Sequence, residues 1–200
     1  MLEAIRPYPK KLLGCGVLEK EVDSLIAKNG WRVATQYLDS TLHNHLGRLF
    51  DELKAALDAN DGTGRRAHIF YGSCHPSMDR LLERHGARRP RAQNCIEMLL
   101  GPERYSEELG KGAYFLLEGW SRSWEPMITQ AFGTSRVDVV REIFHSSHTH
   151  VIAIRTPCSG DFEKEAEAAA RYVDLPLEWM DIGLDRLESV LAELFEEKQA

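Results

Sequence analysis

The chain has 200 residues, 43% hydrophobic and 28% charged, the proportions of an ordinary globular domain or of two small halves sharing a core. Its apolar runs at 114–117 and 151–154 fall far short of the roughly 20 residues a membrane helix needs, and residues 1–10 hold no apolar stretch of a secretory signal, so a cytoplasmic location is expected. A net charge of −6, from 31 acidic against 25 basic side chains with no long basic run, argues against nucleic-acid binding.

Short apolar runs ending in Gly, Cys, Asp or Ser alternate with longer stretches at helical spacing, the pattern of βαβ units. Residues 12–15 read as a first strand. Over 17–29, Leu18, Val22, Leu25 and Ile26 recur at helical spacing, and Asn29-Gly30 supplies the stop. A second strand is expected at 31–38. Asp39-Ser40-Thr41 then offers cap chemistry for one long helix reaching about residue 59, with Leu42, Leu46, Leu49, Phe50, Leu53 and Leu57 as its stripe. The polar turn 60–66 leads into a strand at 67–72, ending at Ser73-Cys74-His75-Pro76, and Met78, Leu81 and Leu82 mark a short helix closed by Gly86.

The basic cluster Arg84, Arg88, Arg89 and Arg91 reads as a solvated loop. An extended piece at 90–94 precedes the apolar segment 95–100, and 101–112 is the best boundary between two halves, 11–101 and 112–196. Beyond it the pattern predicts strands at 112–118, 150–155 and 177–181, and helices at 120–132, 136–144, 162–173 and 184–196. About six strands with seven or eight helices argue an α/β, doubly wound architecture, a mainly parallel sheet with helices on both faces or two Rossmann-like halves.

In such sheets, ligands bind outside the carboxyl ends of the strands. Cys15, Cys74 and Cys95 fall at those ends or just beyond them, and Cys158 follows a later strand. Scattered thiols in a chain without a secretion signal suit metal or catalysis better than disulfides. Thiols at helix starts are expected to ionise easily, and three of them with an imidazole, His43 being the best placed, would hold a thiophilic metal. Trp120 and Trp124, four apart, are expected to share one helix face, either against the core or as a stacking wall for a flat ligand. The glycines of 14–16 and 72–74 lack dinucleotide or P-loop spacing, so neither NAD nor ATP is indicated.

Several strings, taken in order, resemble one family: 13–18 with Glu21, Leu42-His43-Asn44, Tyr71-Gly72-Ser73-Cys74, the segment 94–101, Gly119-Trp120 with Trp124, and Thr156 after the late strand. Together they are similar to domain-of-unknown-function family 1638, over about residues 11–195. The resemblance implies a metal or iron–sulfur role, with Cys15, Cys74 and Cys95 at the family's cysteine positions and His43 at its histidine. It also implies an association with corrinoid-dependent methyl transfer. Cys158 lies outside that pattern; Asn94 stands where members often carry an acid, and His75-Pro76 replaces a Gly-containing continuation.

The leading expectation is therefore zinc or an iron–sulfur cluster held by Cys15, Cys74, Cys95 and His43. Glu97, Glu118 and Trp120 are expected on the ligand-facing wall, the two acids as candidate catalytic groups, with a small molecule or a corrinoid-related protein as partner. One alternative is a metal-free acid–base enzyme using Cys15 and Cys74, since Cys74-His75 is weakly similar to a cysteine motif of aspartate/glutamate racemases. Another is a non-catalytic binding module presenting an exposed Trp120/Trp124 surface. A homodimer is the default assembly.

Overall fold

The computed structural model describes residues 10–63 and 65–196, together with the backbone but not the side chain of His43. Six parallel strands form two sheets of three, so the architecture is α/β and doubly wound, with the two-halves arrangement in place of one continuous sheet. In the first sheet, β1 (Lys10–Cys15) lies between β2 (Val33–Leu38) and β3 (Ala67–Phe70). In the second, β4 (Ala113–Leu116), β5 (His150–Arg155) and β6 (Leu177–Asp181) follow in chain order.

Alternation along β1 explains how the first sheet is covered. Leu12 points into a cluster with Val22 and Leu25 of α1 (Glu19–Asn29), whereas Leu13 points into another with Leu49, Leu53 and Leu57 of α2 (Leu46–Asp61). The second sheet behaves likewise. Phe115 and Ile152 join Leu12 in the middle cluster, while Leu116, Val151 and Ala153 pack with α8 (Val137–Ser147) and α9 (Glu163–Val173). The last helix, α10 (Asp185–Phe195), returns to put Leu187, Val190, Leu191 and Leu194 into that middle cluster, so the halves share one apolar layer.

Several boundaries differ from expectation for local reasons. The long helix after β2 is broken. Asp39 caps a 3-10 turn at Ser40–Asn44 through Thr41 N–H, and α2 starts only after His45, whose backbone (φ −128°, ψ 70°) is not helical. Residues 120–132 likewise split into α6 (Glu118–Ser121) and α7 (Trp124–Phe132). The expected boundary at 101–112 holds a helix, α5 (Pro102–Gly110), opened by proline at its first turn; its Tyr105 stacks on Phe115 at 5.7 Å. Among the described residues no helix is long and apolar enough to cross a membrane.

Candidate functional site

The strand order β2-β1-β3 makes the junction of β1 and β3 the place where the winding reverses, and a crevice opens there at the carboxyl ends. Cys15 is the last residue of β1, and Cys74 lies four residues after β3. The chain at 88–94 then runs back alongside β3. Ile69 N–H donates to Arg88 O at 2.7 Å and Ser73 N–H to Gln93 O at 2.8 Å. Two parallel segments thus end side by side, one delivering Cys74 and the other Cys95, first residue of α4 (Cys95–Leu100). Arg89 fastens them: its guanidinium donates to Ser73 Oγ, Asp79 and the carbonyls of Pro90 and Ala92. That basic cluster is therefore partly built into the fold, with the Arg89 side chain only 15% exposed.

Close approach at Gly72 makes this geometry possible. A Cβ there would sit 2.3 Å from Gln93 O and 2.6 Å from Asn94 Cα, so only glycine admits the second segment. Asn94 then caps α4 by accepting Glu97 N–H at 3.0 Å, while Glu97 Oε2 accepts Gln93 N–H at 2.9 Å. This is a capping box shifted by one residue. Glu97 thus lies on the wall of a separate arginine-rich cleft and not on the lining of the cysteine cavity, which corrects its expected place on the ligand-facing wall.

Cys15, Cys74 and Cys95 line one cavity of about 390 Å³, together with Leu42, Phe70, Tyr71, Met98, Phe115 and Trp120 among others. Burial, opposed by Val17 N–H, pushes the Cys15 thiol up to about 12, with Cys74 and Asp39 adding to the rise. Burial also raises Cys74, against the pull of Gly72 N–H and Arg89, and raises Cys95 well above its ordinary value, with Cys15 and Cys74 next in weight. The easily ionised thiols expected at helix starts are therefore not found in this cavity. Desolvation in an apolar pocket outweighs the few backbone N–H groups available. Cys74 adds to the rise at Cys15, and both Cys15 and Cys74 add to it at Cys95.

Tyr71, which the sequence reading passed over as a strand-end aromatic, is 4% exposed and sits beside Cys15 and Cys74. Its hydroxyl lies against the Cys15 thiol, which it helps hold down against burial, and no other hydrogen-bond partner of ordinary geometry is found among the described residues. His43 belongs to the 3-10 turn that contributes Leu42 to the cavity, and its side chain lies outside the described residues. His75 is occupied elsewhere, accepting Ser77 N–H at 3.0 Å just before α3 (Met78–Arg84) and packing on Phe50.

Trp120 lines the cavity as expected of a wall residue, but Trp124 does not join it. Trp124 is 5% exposed, packed edge-on against Tyr114, so no exposed two-tryptophan surface exists. Cys158 lies beyond β5, its N–H donating to Thr156 Oγ1, outside the cavity lining.

Glu118 is likewise not on the cavity lining, which corrects its expected place on the ligand-facing wall. Its carboxylate takes both oxygens' worth of bonds from Lys20, with Arg122 at 2.8 Å and Gly160 N–H at 2.9 Å. Burial raises its pKa, but Lys20, Gly160 N–H and Arg122 outweigh that and hold it below 4.5. Beside it, Thr156 Oγ1 donates to the buried Glu21 at 2.7 Å, so two carboxylates tie the halves together. Glu118→Gln is expected to cost about 1–2 kcal/mol at pH 7, and no more, because Lys20 and Arg122 are over half exposed. The ionised form carries this stability. The deficit should shrink as pH falls below 4.5 and close below the lowered folded value, which thermal melts of both proteins from pH 7 to 3 would check.

Among the described residues, the one set of three or more His, Cys, Asp or Glu whose ligand atoms all lie within 4.8 Å of one another is Asp58, Asp61 and His85. It is a surface ion-pair network: His85 turns Nδ1 to Asp61 at 2.8 Å and Nε2 toward Asp58 at 3.7 Å, and Lys54 already neutralises Asp58. The cysteine sulfurs share a cavity wall without forming so tight a set.

No curated protein and no solved structure matches the chain. Residues 37–191 match a family described as a protein of unknown function, DUF1638, a span that includes Cys74, Cys95 and Trp120 and begins after Cys15. With most of its length inside that match, from the end of β2 to the middle of α10, the chain belongs to the DUF1638 family.

Proposed function

We propose that the protein holds a thiophilic metal centre, zinc or an iron–sulfur cluster, on Cys15, Cys74 and Cys95, and that the centre opens onto the adjoining cavity to act on a small molecule. The observation that carries this reading is the convergence of three soft donors from separate segments on the wall of one cavity. The donor chemistry fits the group, and loading requires the sulfurs to draw together, since they do not all lie within 4.8 Å of one another. Three neutral, desolvated thiols are poor nucleophiles and poor bases at pH 7, yet a cation of this class stabilises all three as thiolates. Three protein ligands leave a fourth position for ligand or water, the pattern of reactive rather than purely structural sites. Such a centre, when loaded, supplies Lewis acidity and polarised sulfur to the cavity. Methyl transfer involving a thiol or a corrinoid carrier suits it.

Acid–base catalysis by two thiols fits less well, because one partner must be a thiolate at rest and burial disfavours that for each. The test is metal, iron and acid-labile sulfide content with the visible spectrum of protein purified without oxygen. About one zinc, or iron with sulfide, per chain is expected. Folded protein that neither retains nor takes up any of these would overturn the proposal.

A further inference from the structure

The cavity's charge pattern says what kind of molecule it takes. No Lys or Arg side chain lines it among the described residues. Its single carboxylate, Asp39, is already engaged by Thr41, through N–H at 2.8 Å and hydroxyl at 2.7 Å. Its imidazole, His148, is pushed toward the neutral form by burial, which outweighs the opposing carbonyls of Ala113 and Gly112. Gln93 and Asn94 add neutral amides, Asn94 donating to the Tyr105 hydroxyl, and the rest of the wall is mainly Leu42, Ile96, Met98 and aromatic rings, with Trp120 half-buried among them. An anion entering this space would lose its hydration with no cation to replace it beyond the centre itself, whose charge the thiolates already offset. Of the buried polar atoms on this wall without an ordinary partner among the described residues, His148 Nδ1 and the Tyr71 hydroxyl, it is Tyr71 that sits beside the cysteines.

We infer that the cysteine cavity binds a small uncharged organic molecule whose polar atom hydrogen-bonds the Tyr71 hydroxyl and whose apolar body lies against Trp120 and Phe115. The inference deepens the proposed reading, on which it rests only for setting that polar end beside the metal centre. A volume of about 390 Å³ falls in the range of small-molecule sites. Asp39, Gln93 and Leu109, its exposed lining residues, mark the opening. Tyr71 is here a binding and positioning residue.

Four probes of one size separate the contributions: benzyl alcohol, toluene, benzoate and benzylammonium. Each is titrated into metal-loaded and metal-free protein, following the Trp120 indole resonance by NMR, assigned with Trp120→Phe, and measuring metal content in the same samples. Benzyl alcohol is expected to saturate, with either charged probe at least tenfold weaker. Tyr71→Phe is expected to weaken benzyl alcohol by about 3–10-fold, the worth of one hydrogen bond, and to leave toluene unchanged. A structural role for Tyr71 would move both. Benzoate or benzylammonium binding as well as the alcohol, no saturable binding of the alcohol, or an unchanged alcohol affinity in Tyr71→Phe would each overturn the inference. Selective binding to protein that never holds metal would leave it standing and defeat the metal reading; metal-loaded protein that fails to discriminate would do the reverse.

Discussion

Serine in place of Cys15, Cys74 or Cys95 is expected to abolish metal retention in each single variant, while Cys158→Ser keeps it in full. The three thiols line one cavity, and Cys15 and Cys74 both bear on Cys95, whereas Cys158 is outside it. Loss of a direct ligand should exceed the 10–100-fold that loss of an outer hydrogen-bond partner costs. Serine is nearly isosteric, so circular dichroism should show the fold intact in all four. Proton release offers a second reading of the same site. Burial keeps the thiols protonated at pH 7, so loading zinc must expel about three protons, and affinity must rise with pH. Calorimetry in buffers of different ionisation enthalpy measures that number. A variant among Cys15, Cys74 and Cys95 that retains full metal would remove that residue from the centre.

Local patterns carried the fold a long way, for reasons visible in particular residues. Gly30, in the left-handed region at φ 62°, ends α1 where Asn29-Gly30 announces it, and the strand at 177–181 coincides with β6. Strand pairing is not local, so nothing in the sequence separates one six-stranded sheet from two of three. The stripe Leu42 to Leu57 reads through the break at His45 because Leu42 and Leu46 are spaced as neighbours on a helix whether or not the backbone is helical between them.

At the site, the thiols were legible because they punctuate strand ends, where the topology gathers them. Neither acid lines the cysteine cavity, for an identifiable reason. A buried carboxylate in a candidate crevice looks catalytic until its partners are known, and those of Glu118 come from positions 20 and 160. For Glu97 the signal was present: Asn94-x-x-Glu97 before an apolar run is the spacing of a capping box. Tyr71 carried no signal, since a strand-end aromatic is usually core; only its hydroxyl's surroundings distinguish it.

Gly72→Ala is expected to be the most damaging conservative change outside the cysteines. The added methyl would meet Gln93 O at 2.3 Å, Gln93 C at 2.5 Å and Asn94 Cα at 2.6 Å, all backbone atoms that no rotamer change can move aside. The segment 93–95 must retreat from 72–74. Such overpacking costs about 3 kcal/mol or more, at or above the upper end of its usual range, because main chain rather than side chain has to give. For a domain of this size that corresponds to a melting temperature lower by roughly 6–12 °C. The retreat breaks Ser73 N–H to Gln93 O and draws Cys95 away from Cys74, so the fraction that folds should also bind metal poorly. Gly47→Ala provides the contrast. That glycine lies within α2 with nothing within 4 Å of a new Cβ, so alanine there should stabilise by about 0.5–1 kcal/mol and leave metal content unchanged. Thermal melts and metal analysis of both variants decide the matter: a Gly72→Ala protein with the native melting temperature and full metal would show that the close approach of these two segments does not build the site.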